Sequence, residues 1–138
     1  MSFSFNISMP LQITAIYASF LALFLIILSL PIIRLRRGLR VGLGDGGHTS
    51  LQQAIRAHGN AVEFIPIFII LLAIYELNRA PAGALHAFGV AFVLARLAHA
   101  WGLYSTSGAS IGRVTGMVGT FAVLIILAAA NLWRVLAG

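Results

Sequence analysis

The chain has 138 residues, 60% of them hydrophobic and 9% charged, with a mean hydropathy of +1.00. A soluble domain of this size cannot hide so much apolar surface, and the formal net charge of +6 has no soluble basic domain to carry it, so a nucleic-acid role is excluded. The absence of cysteine excludes disulfides, thiolate metal sites and a cysteine nucleophile, so any thiol chemistry needs a thiol brought by a substrate.

A hydrocarbon layer of about 30 Å is crossed by roughly 20 apolar residues in a helix. Segments of that kind predict helices over Pro10–Ile33, Ser50–Asn78, Ala82–Leu103 and Gly112–Leu136. The gaps are too short for a second domain, so the expected fold is all-α, a single transmembrane domain forming an up-down four-helix bundle. The first segment lacks a positive n-region, is longer than a signal-peptide core, and is followed by arginines, which identifies a retained span. Ser8 is its expected cap and Pro10 lies in its first turn.

Pro31 is expected to loosen the inner end of this helix, and a connection rich in glycine then runs from Arg34 to His48. Arg34, Arg36, Arg37 and Arg40 concentrate there, and the positive-inside rule places the Arg34–Arg40 loop in the cytoplasm of an inner-membrane, multi-pass protein. Both termini are then extracytoplasmic, and anionic lipid head groups are natural neighbours of the cluster.

Thr49 with Gln52 and Ser50 with Gln53 form two overlapping candidate capping boxes for the second helix. That helix is longer than the hydrocarbon, so its first turns project toward the cytoplasm, and Pro66 is expected to kink it. Glu76 and Arg79 are expected to pair at its outer end, Pro81 to start the third helix, and His86 to be hydrated. Ser110 is the expected cap of the fourth helix. Gly112-x-x-x-Gly116 and the series Ala87, Ala91, Ala95 are small-residue packing faces.

Ionisable residues inside apolar helices must be paired, hydrated or functional. Arg56, Asn60 and Glu63 are spaced i, i+4, i+7 and share one face of the second helix. Arg96 and His99 stand one turn apart on the inner half of the third, Tyr104 follows them, and Arg113 opens the fourth. All converge in depth, and the excess of arginine over carboxylate suits a pocket for an anionic small molecule. The competing reading is structural: Glu63 pairs with Arg56 or Arg96 to hold the bundle together, and Arg113 snorkels as part of the topology signal. His58, Glu63 and His99 lack the spacing of a metal site, and no metal is expected.

The stretch Arg56-Ala57-His58-Gly59-Asn60-Ala61-Val62-Glu63, followed by Phe64-Ile65-Pro66, resembles the second-helix signature of the MAPEG family, the membrane-associated proteins of eicosanoid and glutathione metabolism, and its bacterial branch in particular. The resemblance covers nearly the whole chain, taking in Arg34-Leu35-Arg36-Arg37, Arg96-x-x-His99 and the arginine that opens the fourth helix. It implies a homotrimer with sites between subunits, open to the cytoplasm, that bind glutathione as co-substrate. Arg56, Asn60 and Glu63 match the family's glutathione contacts; Arg96, His99 and Tyr104 join them as substrate-binding candidates, and Arg113 is the catalytic candidate. The interval from Arg96 to Tyr104 and Arg113 is slightly longer than in the mammalian prostaglandin synthase branch.

The chemistry fits the residues, because glutathione carries two carboxylates, an amine and a thiol. The implied activity is that of a glutathione transferase or a peroxidase-like enzyme of detoxification, acting on lipophilic electrophiles or hydroperoxides that enter from the lipid. The alternative is a non-catalytic membrane protein, a small transporter or lipid-binding scaffold whose polar face is structural. Broken helices and inverted repeats, the usual marks of transporters, are not evident in the sequence.

Overall fold

The computed structural model describes residues 10–137, and among them the chain forms four helices: α1 (Gln12–Leu39), α2 (Thr49–Leu77), α3 (Ala82–Ser105) and α4 (Ile111–Ala137). Each is long and apolar enough to cross a membrane. Large apolar side chains such as Phe20, Ile125 and Trp133 point outward rather than into the bundle. In water this surface would be prohibitive; against lipid or another subunit it is the normal exterior of a membrane bundle. Among the described residues α2 packs against the other three helices, α3 and α4 make the most extensive contact, and α1 and α4 do not touch.

Three of the four spans begin and end close to where the apolar pattern puts them, but α1 continues through Pro31 and the first arginines to Leu39. The proline leaves the helix unbroken. Arginine and leucine favour helix, and Arg36 and Arg37 lie in the last turn, where positive charge complements the helix dipole. The helix stops at Arg40, which adopts the left-handed conformation (φ 57°), while the Arg36 carbonyl accepts from the amides of Arg40 and Val41. Of the expected loop, the part beyond Arg40 remains. There Gly44, Gly46 and Gly47 all have positive φ, and the Asp45 carboxylate accepts from the Gly47 amide at 2.9 Å.

The expected capping boxes at α2 do not form, since its N-cap is His48, with no side-chain cap. At α1 the N-cap is Leu11, left-handed (φ 68°) and without a side-chain cap, so Ser8, itself outside the described residues, is not the cap and Pro10 precedes the first turn rather than lying in it. Ser110 does cap α4: its Oγ accepts from the Arg113 amide at 3.3 Å and donates to the Gly102 carbonyl at 3.0 Å, so one hydroxyl ties the start of α4 to the end of α3.

The first turn of α1 is capped from another helix. The amides of Ile13 and Thr14 donate to the two carboxylate oxygens of Glu76, at 3.0 and 2.7 Å. Glu76 therefore does not form the expected pair with Arg79; it satisfies orphan donors at the positive end of α1, a charge-assisted contact worth on the order of 1–2 kcal/mol at a part-exposed position. Nearby, the Tyr17 hydroxyl reaches both Nδ1 and the carbonyl of His86, so His86 is anchored to α1 as well as exposed to its surroundings. Arg134 on α4 donates to the Asn78 carbonyl at 2.8 Å, at the C-terminus of α2. Both described ends of the chain and the α2–α3 turn thus lie at one end of the bundle. The arginines of α1 lie at the other.

Phe68 and Phe92 stack at 3.9 Å between α2 and α3, with Leu21, Leu72 and Leu127 buried around the same core. Between α3 and α4 the packing is closer still. A Cβ on Gly112 would lie 2.8 Å from the Ala98 carbonyl oxygen, and one on Gly116 would lie 2.6 Å from that of Ala95. The expected Gly112/Gly116 face is therefore a helix interface. Of the alanine series only Ala95 is buried; Ala87 and Ala91 face outward, because the buried stripe of α3 runs instead through Leu85, Gly89 and Phe92.

Candidate functional site

At the arginine end, the start of α2, the end of α3 and the start of α4 converge. Arg56 and Arg113 line one cleft of about 260 Å³ together with Gln52, Gln53, Thr106 and Ser107. Its walls are largely polar, and two guanidiniums face the same small space. Nothing in the sequence singled out the glutamines or Ser107 as site residues. Gln52 and Gln53 lie one helical turn before Arg56, on the face that Arg56 itself marks, which is the signal that would have found them.

A second cleft, of about 630 Å³, opens on the other side of Arg113, between α3 and α4. Ser107 and Arg113 are common to both. The rest of this lining is mainly apolar, with Val114, Met117, Val118 and Phe121, and His99 is the other ionisable group. The cleft lies on α4 beside outward-facing Val118 and Phe121, on the apolar exterior of the bundle.

Arg113 is held between the clefts by its own loop. Its Nη1 donates to the carbonyls of Ser107, at 3.3 Å, and Gly108, and its main-chain carbonyl lies 3.0 Å from Nδ1 of His99. One residue therefore fixes the α3–α4 connection, orients His99, and presents positive charge to both spaces.

Deeper in the bundle, Arg96 is almost wholly buried, at 2% exposure. Its Nη1 donates to Oδ1 of Asn60 at 2.8 Å, and its guanidinium carbon lies 5.7 Å from the centroid of the Phe64 ring. Nε and Nη2 find no acceptor among the described residues. The expected face of α2 is thus divided: Arg56 belongs to the polar cleft, Asn60 holds Arg96, and Glu63 lies on the exposed exterior. Among the described residues Glu63 pairs with neither Arg56 nor Arg96: it faces outward while Arg96 is buried against Asn60, so the structural ion pair is not formed there. Tyr104, 40% exposed, lines neither cleft. It sits next to Leu103, which does face Arg56 and Arg113, so a single step along α3 turns the tyrosine away.

Residues 14–133 match the model of the MAPEG family. Over 122 residues the chain is 41% identical to the "Inner membrane protein YecN" of Escherichia coli strain K12, an alignment covering 88% of this chain and 92% of the relative. The protein of the same name from Escherichia coli O6:H1 matches equally. The chain belongs to the MAPEG family.

Proposed function

We propose, from membership of the MAPEG family, that this protein is a glutathione-binding enzyme of the inner membrane, transferase or peroxidase-like, which conjugates or reduces lipophilic electrophiles or hydroperoxides. The observation that carries this reading is the position of Arg113 at the junction of a polar, arginine-lined cleft and an apolar one. A charged tripeptide thiol suits the first, a lipophilic second substrate suits the other, and Arg113 is common to both. Arg56 is assigned to a glutathione carboxylate and Arg113 to the sulfur, the catalytic role.

Family membership also supports a homotrimer. In that assembly the outward-facing Glu63 gains neighbours that one chain does not supply, and Asn60, Glu63 and Tyr104 contribute to glutathione binding at a subunit boundary. The name of the relative in Escherichia coli supports the inner membrane. The arginines near the end of α1 support an orientation with both clefts opening to the cytoplasm and both termini outside. Reporter fusions after Gly44 and after Gly138 test this: the first should report cytoplasm and the second the opposite side, and the reverse pattern would put the clefts on the wrong face for a cytoplasmic thiol.

Titration calorimetry of the detergent-purified protein with glutathione tests the function. Binding is expected, and Arg56→Ala should weaken it by roughly one to two decades, the worth of a charge-assisted bond of about 1.5–3 kcal/mol. A wild-type protein that gives no binding heat overturns the reading. An Arg56→Ala variant that binds normally but melts earlier removes Arg56 from the site and makes the arginine structural.

A further inference from the structure

We infer that His99 is the proton acceptor for the thiol, a role that rests on the glutathione reading above and adds a catalytic residue to it. His99 Nδ1 lies 3.0 Å from the main-chain carbonyl of Arg113. A carbonyl only accepts, so the hydrogen is on Nδ1 and the lone pair of the neutral ring is on Nε2. The tautomer is thereby fixed by the backbone of the residue that supplies the cleft's positive charge.

The ring is also fixed in place. His99 is 8% exposed, and the backbone of α4 at Gly116 passes so close that a Cβ there would lie 2.7 Å from the Cβ of His99. The small exposed remainder faces the larger cleft, where the other polar side chains are Ser107 and Arg113. An imidazole nitrogen is a far stronger base than a serine hydroxyl, so His99 is the group in that cleft able to take a proton.

In the step this geometry supports, the S–H bond breaks, the proton passes to Nε2, and Nδ1–H stays on the Arg113 carbonyl. The sulfur lone pair forms a C–S bond to an electrophilic carbon held on the apolar side, and the leaving group departs with the electron pair of its bond to carbon. The charged groups facing His99 are Arg96 on its own helix and Arg113 on α4; from α2, neutral Asn60 holds Arg96. Both cations repel an imidazolium, and the thiolate offsets that repulsion only while it carries its charge. Once sulfur is consumed, the proton is expelled to solvent and the site resets.

Two measurements on the full-length protein with glutathione test this. Ultraviolet absorbance reports thiolate formed on binding, and calorimetry in buffers of different ionisation enthalpy reports protons released. If His99 takes the proton, wild-type protein forms thiolate with heats independent of the buffer. At saturating glutathione, His99→Gln should form at least about tenfold less thiolate per bound glutathione than wild type, whatever its affinity. One proton released to buffer per thiolate in the wild type, a quantity that needs no variant to fold, removes His99 from the role, as does an unchanged thiolate signal in His99→Gln. A wild type that binds no glutathione instead removes the underlying reading, and His99 with it.

Discussion

Gly116→Ala is expected to destabilise the protein, and Gly59→Ala is not. In an exposed helix alanine is favoured over glycine by about 1 kcal/mol, so propensity alone predicts that both variants gain stability. At Gly59 a new Cβ meets nothing within 4 Å, and the gain should survive. At Gly116 the Cβ would meet main-chain atoms, the amide nitrogen of His99 at 2.5 Å and the carbonyl oxygen of Ala95 at 2.6 Å. Backbone cannot rotate aside as a side chain can, so α4 must move away from α3. Overpacking of this kind costs about 1–3 kcal/mol and outweighs the propensity. Because the displaced contact is the one that seats His99 against α4, activity should fall further than stability does. Thermal melts in detergent of both variants decide the matter, and a Gly116→Ala protein more stable than wild type would show that the α3–α4 contact is looser than described.

Arg113→Ala is expected to have the largest effect on chemistry, lowering turnover by about two decades or more, while glutathione affinity changes less. A free thiol has a pKa near 8.5, so it is mostly protonated at neutral pH, and a fixed cation beside it favours the thiolate. Arginine suits this because it stays charged, and the start of α4 adds the positive end of its dipole to the same field. Removing the guanidinium should therefore move the titration of bound thiol, followed by its ultraviolet absorbance, to higher pH. Arg113 also holds the Ser107 and Gly108 carbonyls, so part of the loss will come from a slackened loop. Arg113→Lys separates the two effects: it retains charge but loses the planar fork, and should recover the titration more fully than the loop geometry. An unchanged titration in Arg113→Ala would leave this arginine only its loop contacts and its contribution to membrane orientation.

The spans were legible in the sequence because the bilayer demands a run of apolar residues long enough to be read without knowledge of any partner. Ser110 was legible for a similar reason, since a cap is a local device. Pairings between helices were not. Glu76 has Arg79 three residues away and was expected to take it, but the orphan amides at the start of α1 lie within its reach only once the helices are assembled. The split of Arg56, Asn60 and Glu63 among a cleft, a buried arginine and the exterior could not be read from their spacing. Residues at i, i+4 and i+7 share a face, but that face is broad enough to border three environments. Arg113 was placed correctly at the start of its helix, while its partners, two loop carbonyls, carry no mark in a sequence. The extension of α1 past Pro31 has the same origin: the proline and glycines invited a stop, and the helical preference of the intervening arginines and leucines prevailed.

The carboxylate of Glu76 also has a consequence for biogenesis. It grips the amides of Ile13 and Thr14, residues made 63 and 62 positions earlier. At translation rates of about 5–20 residues per second, the cap is synthesised roughly 3–12 s after the first turn of α1. During that interval its first amides are served by water. They pass to Glu76 only when α2 has crossed back, antiparallel and in register with α1. The clasp therefore distinguishes a completed hairpin from one whose second helix has stalled or slipped, and in a slipped hairpin the carboxylate is carried away from the amides it should cap.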